Sequence, residues 1–446
     1  MQYTVLIIDD EKKICSLLAR IIELEGFKVF QAGTGKEGLK ILANQDVYVV
    51  ISDVKLPDIN GVELVKEIKK VKPYAEVINL TAFGTIADGV MAMRNGAFDY
   101  ITKGDDNDKI IPLVYKALDK AKLQYRVNEL ENKVVRKYSF EGILGQSKAI
   151  ASAVTLARKV AATDTTVLLL GETGTGKEVF AQAIHYESPR KLKPFLALNC
   201  SGFNPELLES ELFGHKLGAF TGAVKDKKGL LEEANEGTLF LDEIGEMHLE
   251  LQAKLLRVLE NQTFIKVGDT QTTKVNVRII AATNRDLKAE AEAGRFRLDL
   301  YYRLSVFYIE LPSLSQRKGD ILLLARHYLK EFANKVNKAD FKMEDAFEAL
   351  LLKHSWKGNI RELKNVMERV VILSDGQQLN ASLLPYEFHE PAQTTATDLM
   401  KMESIEKQHI IKVLKHTQGN KTETAKLLGI GLTTLYRKID ELKIIL

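Results

Sequence analysis

Short apolar runs alternate with helix-period stretches through the first 120 residues. Val5-Leu6-Ile7-Ile8, Val47-Tyr48-Val49-Val50-Ile51 and Val77-Ile78-Asn79-Leu80 read as buried strands. Between them, residues 12–24 and 61–70 repeat their apolar positions at the helical period. Such alternation predicts strand–helix–strand units and a parallel sheet with helices on both faces. Residues 107–137 are helical in pattern with few breakers, and Leu123, Val127, Leu130 and Val134 fall at 4-3-4 spacing. That spacing is the seam of a short coiled coil, and a single helix packed on a domain also fits it. The favoured expectation is a dimerising linker. A second strand–helix region runs from about 140 to 311, Pro312 interrupts it, and helical patterns continue to about 384. Residues 387–397 hold Pro391 and a Thr-rich run, which predicts a flexible linker before a compact helical tail.

A chain of 446 residues suggests two to four domains, and 45% hydrophobic residues with only 9 prolines supply more than one core. The net charge of +3 names no partner, but from 401 to 446 nine Lys/Arg stand against five Asp/Glu. A basic tail points weakly to nucleic acid, and a solvated helical face gives the same excess. Cys15 and Cys200 are the only cysteines, too few for a disulfide framework and without metal-ligand spacing. Residues 1–10 lack a basic start followed by a long apolar stretch, and no window nears the roughly 18 apolar residues of a membrane helix. The expectation is a cytoplasmic protein with no membrane partner.

In the N-terminal region, Asp9 and Asp10 follow the first strand, Asp53 the next buried run, Thr81 another, and Lys103 follows Phe98-Asp99-Tyr100-Ile101. In a doubly wound sheet the carboxyl ends of the strands face one crevice. Three carboxylates, a hydroxyl and an ammonium therefore converge. Clustered carboxylates call for a cation, and magnesium prefers oxygen ligands. Each residue taken singly fits a solvated strand end. Together they resemble the receiver domain of two-component response regulators. The resemblance makes Asp53 the phosphoacceptor, with Asp10, Asp53 and the Lys55 carbonyl around Mg2+ and Asp9 in support. It assigns Thr81 and Lys103 to the phosphoryl group and Tyr100 to the switch aromatic. Receivers usually carry proline after this lysine; Gly104 stands here. A cis bond before a non-proline costs about 2.5–4 kcal/mol, so a trans bond is expected.

Farther along, Thr166-Val167-Leu168-Leu169-Leu170 runs into Gly171-Glu172-Thr173-Gly174-Thr175-Gly176-Lys177-Glu178 and then a helical stretch. Strand, glycine loop, lysine and helix form a phosphate-binding loop, in which backbone N–H groups cradle the phosphates and Lys177 reaches the outer ones. Glu178 stands where the general motif has Ser or Thr. Gly237-Thr238-Leu239-Phe240-Leu241-Asp242-Glu243 is an apolar strand ending in paired carboxylates. Asp242 suits the magnesium shell, and Glu243 suits polarising the attacking water.

These segments resemble the AAA+ domains of bacterial sigma-54 activators, the NtrC family, in which Glu178 is normal. The resemblance implies a ring of six or seven subunits with ATP at the interfaces. It makes Asn284 the sensor, Asn199 the restraint on Glu243, Arg297 and Arg303 fingers reaching a neighbour's nucleotide, and Arg361 the second sensor. It also counts Ile143 and Leu144 among the nucleotide-binding residues. Leu298 stands where the family usually has Glu, and Lys357 where it usually has Pro.

The bracketing glycines of Gly218-Ala219-Phe220-Thr221-Gly222-Ala223 suit a mobile hairpin tip, and equally a turn holding a core phenylalanine. By resemblance this complete signature marks the loop that engages sigma-54. Lys216-Leu217 before it departs from the usual Glu-Lys. In the tail, residues 421–428 and 432–442 flank Gly429-Ile430-Gly431, which is helix-turn-helix geometry or a closing helical hairpin. Similarity to the Fis-like tails of the same activators favours the former, with Thr433, Thr434, Tyr436, Arg437 and Lys438 facing DNA. Gly431 replaces a Ser or Asn cap.

The expected architecture is α/β and multidomain. It comprises a doubly wound receiver (1–120), a helical coiled-coil linker (121–138), an AAA+ α/β domain with helical lid (139–386), a flexible linker (387–400) and an all-α helix-turn-helix domain (401–446). The expected protein is phosphorylated on Asp53 by a sensor histidine kinase and is a homodimer at rest. As a hexamer or heptamer it hydrolyses ATP and remodels sigma-54 RNA polymerase at DNA upstream of promoters. The rivals are a DNA-binding response regulator whose AAA+ domain only oligomerises, and an AAA+ remodeller unrelated to transcription.

Overall fold

A computed structural model describes residues 3–81, 86–103, 107–338, 341–374, 376–389, 402–417 and 420–442. The N-terminal strands β1 (Thr4–Ile8), β2 (Lys28–Ala32), β3 (Val49–Asp53), β4 (Glu76–Thr81) and β5 (Asp99–Thr102) form one sheet in the order β2-β1-β3-β4-β5. Every pairing is parallel. Helices α1 (Lys12–Leu24), α2 (Gly35–Asn44), α3 (Gly61–Val71) and α4 (Ile86–Arg94) join successive strands. β1, β3 and β4 are buried along their whole length, which is why they read as unbroken apolar runs. β2 buries only its last residue, Ala32, and its shorter apolar signal hid it in the sequence.

Helix α5 runs unbroken from Asn107 to Lys137. The receiver's last helix and the expected linker are thus one element. Its receiver half buries Val114, Ala117, Leu118 and Ala121. Tyr125 lies 5.5 Å from Tyr48 and 5.0 Å from Tyr74, so the packing reaches beyond residue 120. Leu123, Val127, Leu130 and Val134 are exposed along the same helix, 71% in the case of Leu123.

The central domain holds a second parallel sheet. Its strand order is Phe307–Glu310, β6 (Val167–Leu170), Arg278–Thr283, Thr238–Asp242 and Phe195–Asn199. Apolar clusters fill both faces, one around Leu239, Leu255 and Leu300, the other around Phe180, Ile280 and Ile309. Helix α6 (Lys148–Ala161) packs on the second, and α7 (Lys177–Tyr186) follows the glycine loop. The linker helix meets this domain through Tyr138, which stacks on Tyr186 with ring centres 5.4 Å apart.

The helical lid begins at Leu314 and has its own core of Leu, Phe and Trp356. It extends past the expected boundary of 386. The turn Tyr386–Phe388 brings Phe388 into the lid core, stacked 4.0 Å from His354. A flexible linker from 387 is corrected to that extent; residues 390–401 lie outside the described residues. In the tail, Met402–His416, Lys421–Leu428 and Leu432–Glu441 enclose a small core of Ile410, Leu414, Ala425, Leu435 and Ile439. Gly429 ends the middle helix at φ 67°, a left-handed cap that glycine adopts without strain.

Candidate functional site

Strand register sets the chemistry at the carboxyl edge of each sheet. In the N-terminal domain Ile8 pairs with Ser52, Asp53 with Leu80 and Thr81 with Thr102, so the residues that end these strands come side by side. Carboxylate oxygens of Asp9, Asp10 and Asp53 lie within 4.8 Å of one another. Asp9 and Asp53 are buried and Asp10 is exposed. Lys103 Nζ sits 2.9 Å from Asp9 Oδ2 and 3.0 Å from Asp53 Oδ2. Burial pushes the Asp53 carboxyl up, the Lys103 bond opposes that, and the Asp9 charge adds to it. Burial works against the Lys103 charge, but its contacts with Asp9 and Asp53 win and raise its pKa.

Three hard oxygen donors around one point, one of them exposed, fit a divalent cation such as Mg2+. Thr81 is 2% exposed at the strand end, and Lys55 occupies an exposed turn bridged to Asn60. The Tyr100 ring packs in the core beside Gly89, and its hydroxyl is buried without a partner among the described residues. The Lys103–Gly104 bond lies outside the described residues.

In the central domain Thr283 pairs with Leu170 and Asp242 with Asn199. The first pairing sets Asn284 against the glycine loop, where its Nδ2 donates to Thr173 Oγ1 at 3.2 Å. The second brings Asn199 beside the Asp242–Glu243 pair. A cavity of about 820 Å³ is lined by Ile143, Leu144, Ile150, the loop residues Thr173, Gly174, Thr175, Gly176, Lys177 and Glu178, and Asn199, Asp242, Glu243 and Arg361. Lys177 Nζ donates to Gly171 O at 2.9 Å and lies 3.8 Å from Glu243 Oε1. Gly176 begins α7 at φ 103° with no side-chain cap, which leaves backbone donors turned to the cavity. Asn199 does not bond Glu243 in this conformation; its Oδ1 accepts from Ser201 N at 2.9 Å and from Ser201 Oγ at 2.7 Å.

The lid closes on the loop through residues that sequence reasoning missed. Asn359 is fully buried, and its Nδ2 donates to Glu172 Oε2 at 2.9 Å and to Thr173 O at 3.1 Å. Ile360 N donates to Gly174 O at 3.0 Å. Gly174 has φ 81°, and a Cβ there would meet Gly358 O at 2.2 Å, so only glycine fits between loop and lid. Arg317, His327 and Tyr328 also line the cavity. Asn359 stands two residues before Arg361, and its position there was the one available signal.

Arg297 and Arg303 do not line this cavity. Arg297 makes a two-pronged contact with Asp299, with bonds of 2.7 and 3.1 Å, and Arg303 donates to Leu259 O. Both are exposed, and Leu298, Tyr302, Val306 and Tyr308 beside them are at least half exposed.

The Gly218–Ala223 turn lies between the short antiparallel strands Gly214–His215 and Lys227–Lys228. Gly218 and Gly222 have φ 79° and 102° with open space around them. Phe220 is 46% exposed, so the loop presents it and does not bury it in a core. Its ring rests edge-on against His215 at 4.9 Å, and His215 bonds Ser210. Lys216 and Leu217 N both contact Asp226, at 2.8 and 2.9 Å, closing the loop base. In the tail, Thr433, Tyr436 and Arg437 are exposed and Thr434 partly so, while Lys438 turns back to pair with Glu406 at 2.5 Å. Gly431 gives its helix no side-chain cap.

Comparison with known proteins matches the response regulator receiver domain over residues 5–115, the sigma-54 interaction domain over 143–310, the AAA+ ATPase lid domain over 315–401, and the Fis family of bacterial regulatory proteins over 401–442. Regulatory protein AtoC of Escherichia coli (strain K12) is 40% identical across 98% of this chain and 97% of its own. Transcriptional regulatory protein ZraR of Salmonella typhimurium is 40% identical across 98% of both. The crystal structure of NtrX from Brucella abortus in complex with ATP is 33% identical, with 100% of both chains covered and a TM-score of 0.62. No helix among the described residues is long and apolar enough to cross a membrane. With relatives this similar over nearly its whole length, the chain belongs to the sigma-54-dependent two-component response regulators, carrying receiver, activator and Fis-type DNA-binding domains.

Proposed function

We propose that this regulator is switched by phosphorylation of Asp53 and uses ATP hydrolysis in a ring of subunits to remodel sigma-54 RNA polymerase at promoters. A sensor histidine kinase supplies the phosphoryl group. Asp10, Asp53 and the Lys55 carbonyl would hold Mg2+, with Asp9 in support, and the ion would offset charge as the Asp53 carboxylate attacks. Thr81 and Lys103 then take the phosphoryl oxygens, and Tyr100 has a buried hydroxyl, without a partner among the described residues, ready to reorient.

In the ATPase, α7 and the loop cradle the phosphates and Lys177 turns from Gly171 O toward them. Asp242 serves the magnesium shell, Glu243 polarises the attacking water, and Asn199 and Asn284 report the outer phosphate. Arg361 reaches in from the lid. The cycle moves the Phe220–Thr221 tip against sigma-54, while Thr433, Thr434, Tyr436 and Arg437 hold DNA.

One observation carries the assembled reading. Lys177, Asn199, Asp242, Glu243 and Arg361 line the cavity and Asn284 bonds its wall at Thr173, whereas Arg297 and Arg303 lie away from it on an apolar, exposed face. A guanidinium that stabilises phosphoryl transfer from there must serve a neighbouring subunit. Mixing tests this. Lys177→Ala and Arg303→Ala chains, each inactive alone, should regain part of the ATP turnover when combined in the presence of an acyl-phosphate mimic. A mixture as inactive as its components, or no hydrolysis by the unaltered protein, would overturn the reading.

A further inference from the structure

Arg317 is only 2% exposed, yet it forms part of the wall of the nucleotide cavity. It belongs to Leu314–Asp320, the 3-10 segment that opens the lid, and it sits where that segment breaks helical geometry, at φ −127° and ψ 53°. The break turns a long cationic side chain inward. There the guanidinium makes one long bond, Nη2 to Thr175 O at 3.4 Å. Its Nε is inaccessible and has no acceptor among the described residues. Asp320, three residues on, accepts at Oδ1 from Gln146 N and Ser147 N at 2.7 and 3.1 Å; its charge favours the Arg317 cation from a distance, without a salt-bridge contact.

A guanidinium cannot shed its proton, and a buried charge held by one long bond to a neutral carbonyl is costly until an anion arrives. The adjoining space is bounded by Thr175, Gly176 and Lys177 of the phosphate loop. Of the parts of a nucleotide, the phosphate chain supplies an anion that the guanidinium can contact directly, whereas adenine and ribose supply only neutral acceptors. We propose that Arg317 is a further nucleotide-binding residue, a cation delivered by the lid of the same subunit to the phosphate chain of ATP. Because Arg317 also holds the Thr175 carbonyl, phosphate occupancy and lid position are tied through one side chain. The inference rests on the ATP reading above.

The test is titration calorimetry of the full-length chain with Mg-ATP, ADP and adenosine, comparing wild type, Arg317→Met and Arg317→Lys. Losing one charge-assisted contact should weaken ATP and ADP by about tenfold in Arg317→Met and leave adenosine unchanged. Arg317→Lys should recover part of the loss. Unchanged ATP affinity in Arg317→Met overturns the proposal, as does an equal loss for adenosine. Should circular dichroism show Arg317→Met unfolded, Arg317→Lys decides alone. A point charge without the planar fork must then weaken ATP relative to adenosine, and an unchanged ratio overturns the proposal. Wild-type protein that binds no ATP would instead sink the ATPase reading itself.

Discussion

Lys177 and Glu243 face each other at 3.8 Å across the nucleotide cavity, each within reach of the place the other must vacate for a substrate. The ammonium is held on Gly171 O, and Glu243 stands in a left-handed backbone conformation at φ 51°. In the proposed cycle, substrate phosphate entering between them would draw Lys177 away and free the carboxylate for water. Glu243→Gln keeps the shape and removes the base. ATP turnover should fall by about 10²–10⁴-fold while ATP binding persists, read by phosphate release beside calorimetry. Full turnover would remove Glu243 from its role.

Asn359 bridges lid and loop with one donor and one acceptor edge, since Leu314 N also donates to its Oδ1 at 2.6 Å. Asn359→Asp keeps the acceptor, removes the Nδ2 donations to Glu172, Thr173 O and Lys357 O, and sets a second carboxylate against Glu172. The lid should lose about 1–3 kcal/mol of stability. Denaturation followed by the fluorescence of Trp356, the single tryptophan, measures it. A midpoint identical to wild type would show that the bridge carries no weight.

His185 is fully buried, with Nδ1 on Thr238 Oγ1 at 2.9 Å, and its pKa is lowered to about 4. Burial is the main cause, and the charges of Arg278 and Arg190 add to it. The unfolded chain therefore binds a proton below about pH 6.5 that the folded chain refuses until about pH 4. Stability falls as pH drops through that window, by about 3 kcal/mol from this group. His185→Gln should flatten the difference between pH 7 and pH 4.5 in urea denaturation, and an unchanged slope would count against it.

Asp226 closes the base of the Gly218–Ala223 loop by taking both Lys216 Nζ and Leu217 N. The pair is exposed, so its effect is on loop order more than on global stability. Asp226→Ala should speed hydrogen exchange at Leu217 and Gly218 while leaving exchange in the strand Thr238–Asp242 unchanged. Equal exchange in both proteins would mean that the loop's backbone bonds, such as Gly218 N to Ala223 O, fix it without Asp226.

Much of the fold was legible because buried parallel strands write continuous apolar runs, as β1, β3 and β4 do. β2 was not, since only one of its five residues is buried. The carboxylate cluster followed from strand ends alone, because register is fixed wherever both faces are covered. The lid contacts did not. Asn359 and Arg317 act through backbone bends, and no period or spacing marks where a bend will aim a side chain. The boundary at 386 missed Phe388 for a related reason: composition marked the loss of regular structure, while one ring still packed into the lid.

The Tyr138–Tyr186 stack joins two helices with opposite duties. The long α5 ends at this ring pair, and α7 ends at it too, having begun at Lys177. The stack therefore leaves a single helix, the ten residues of α7, between the end of α5 and Lys177.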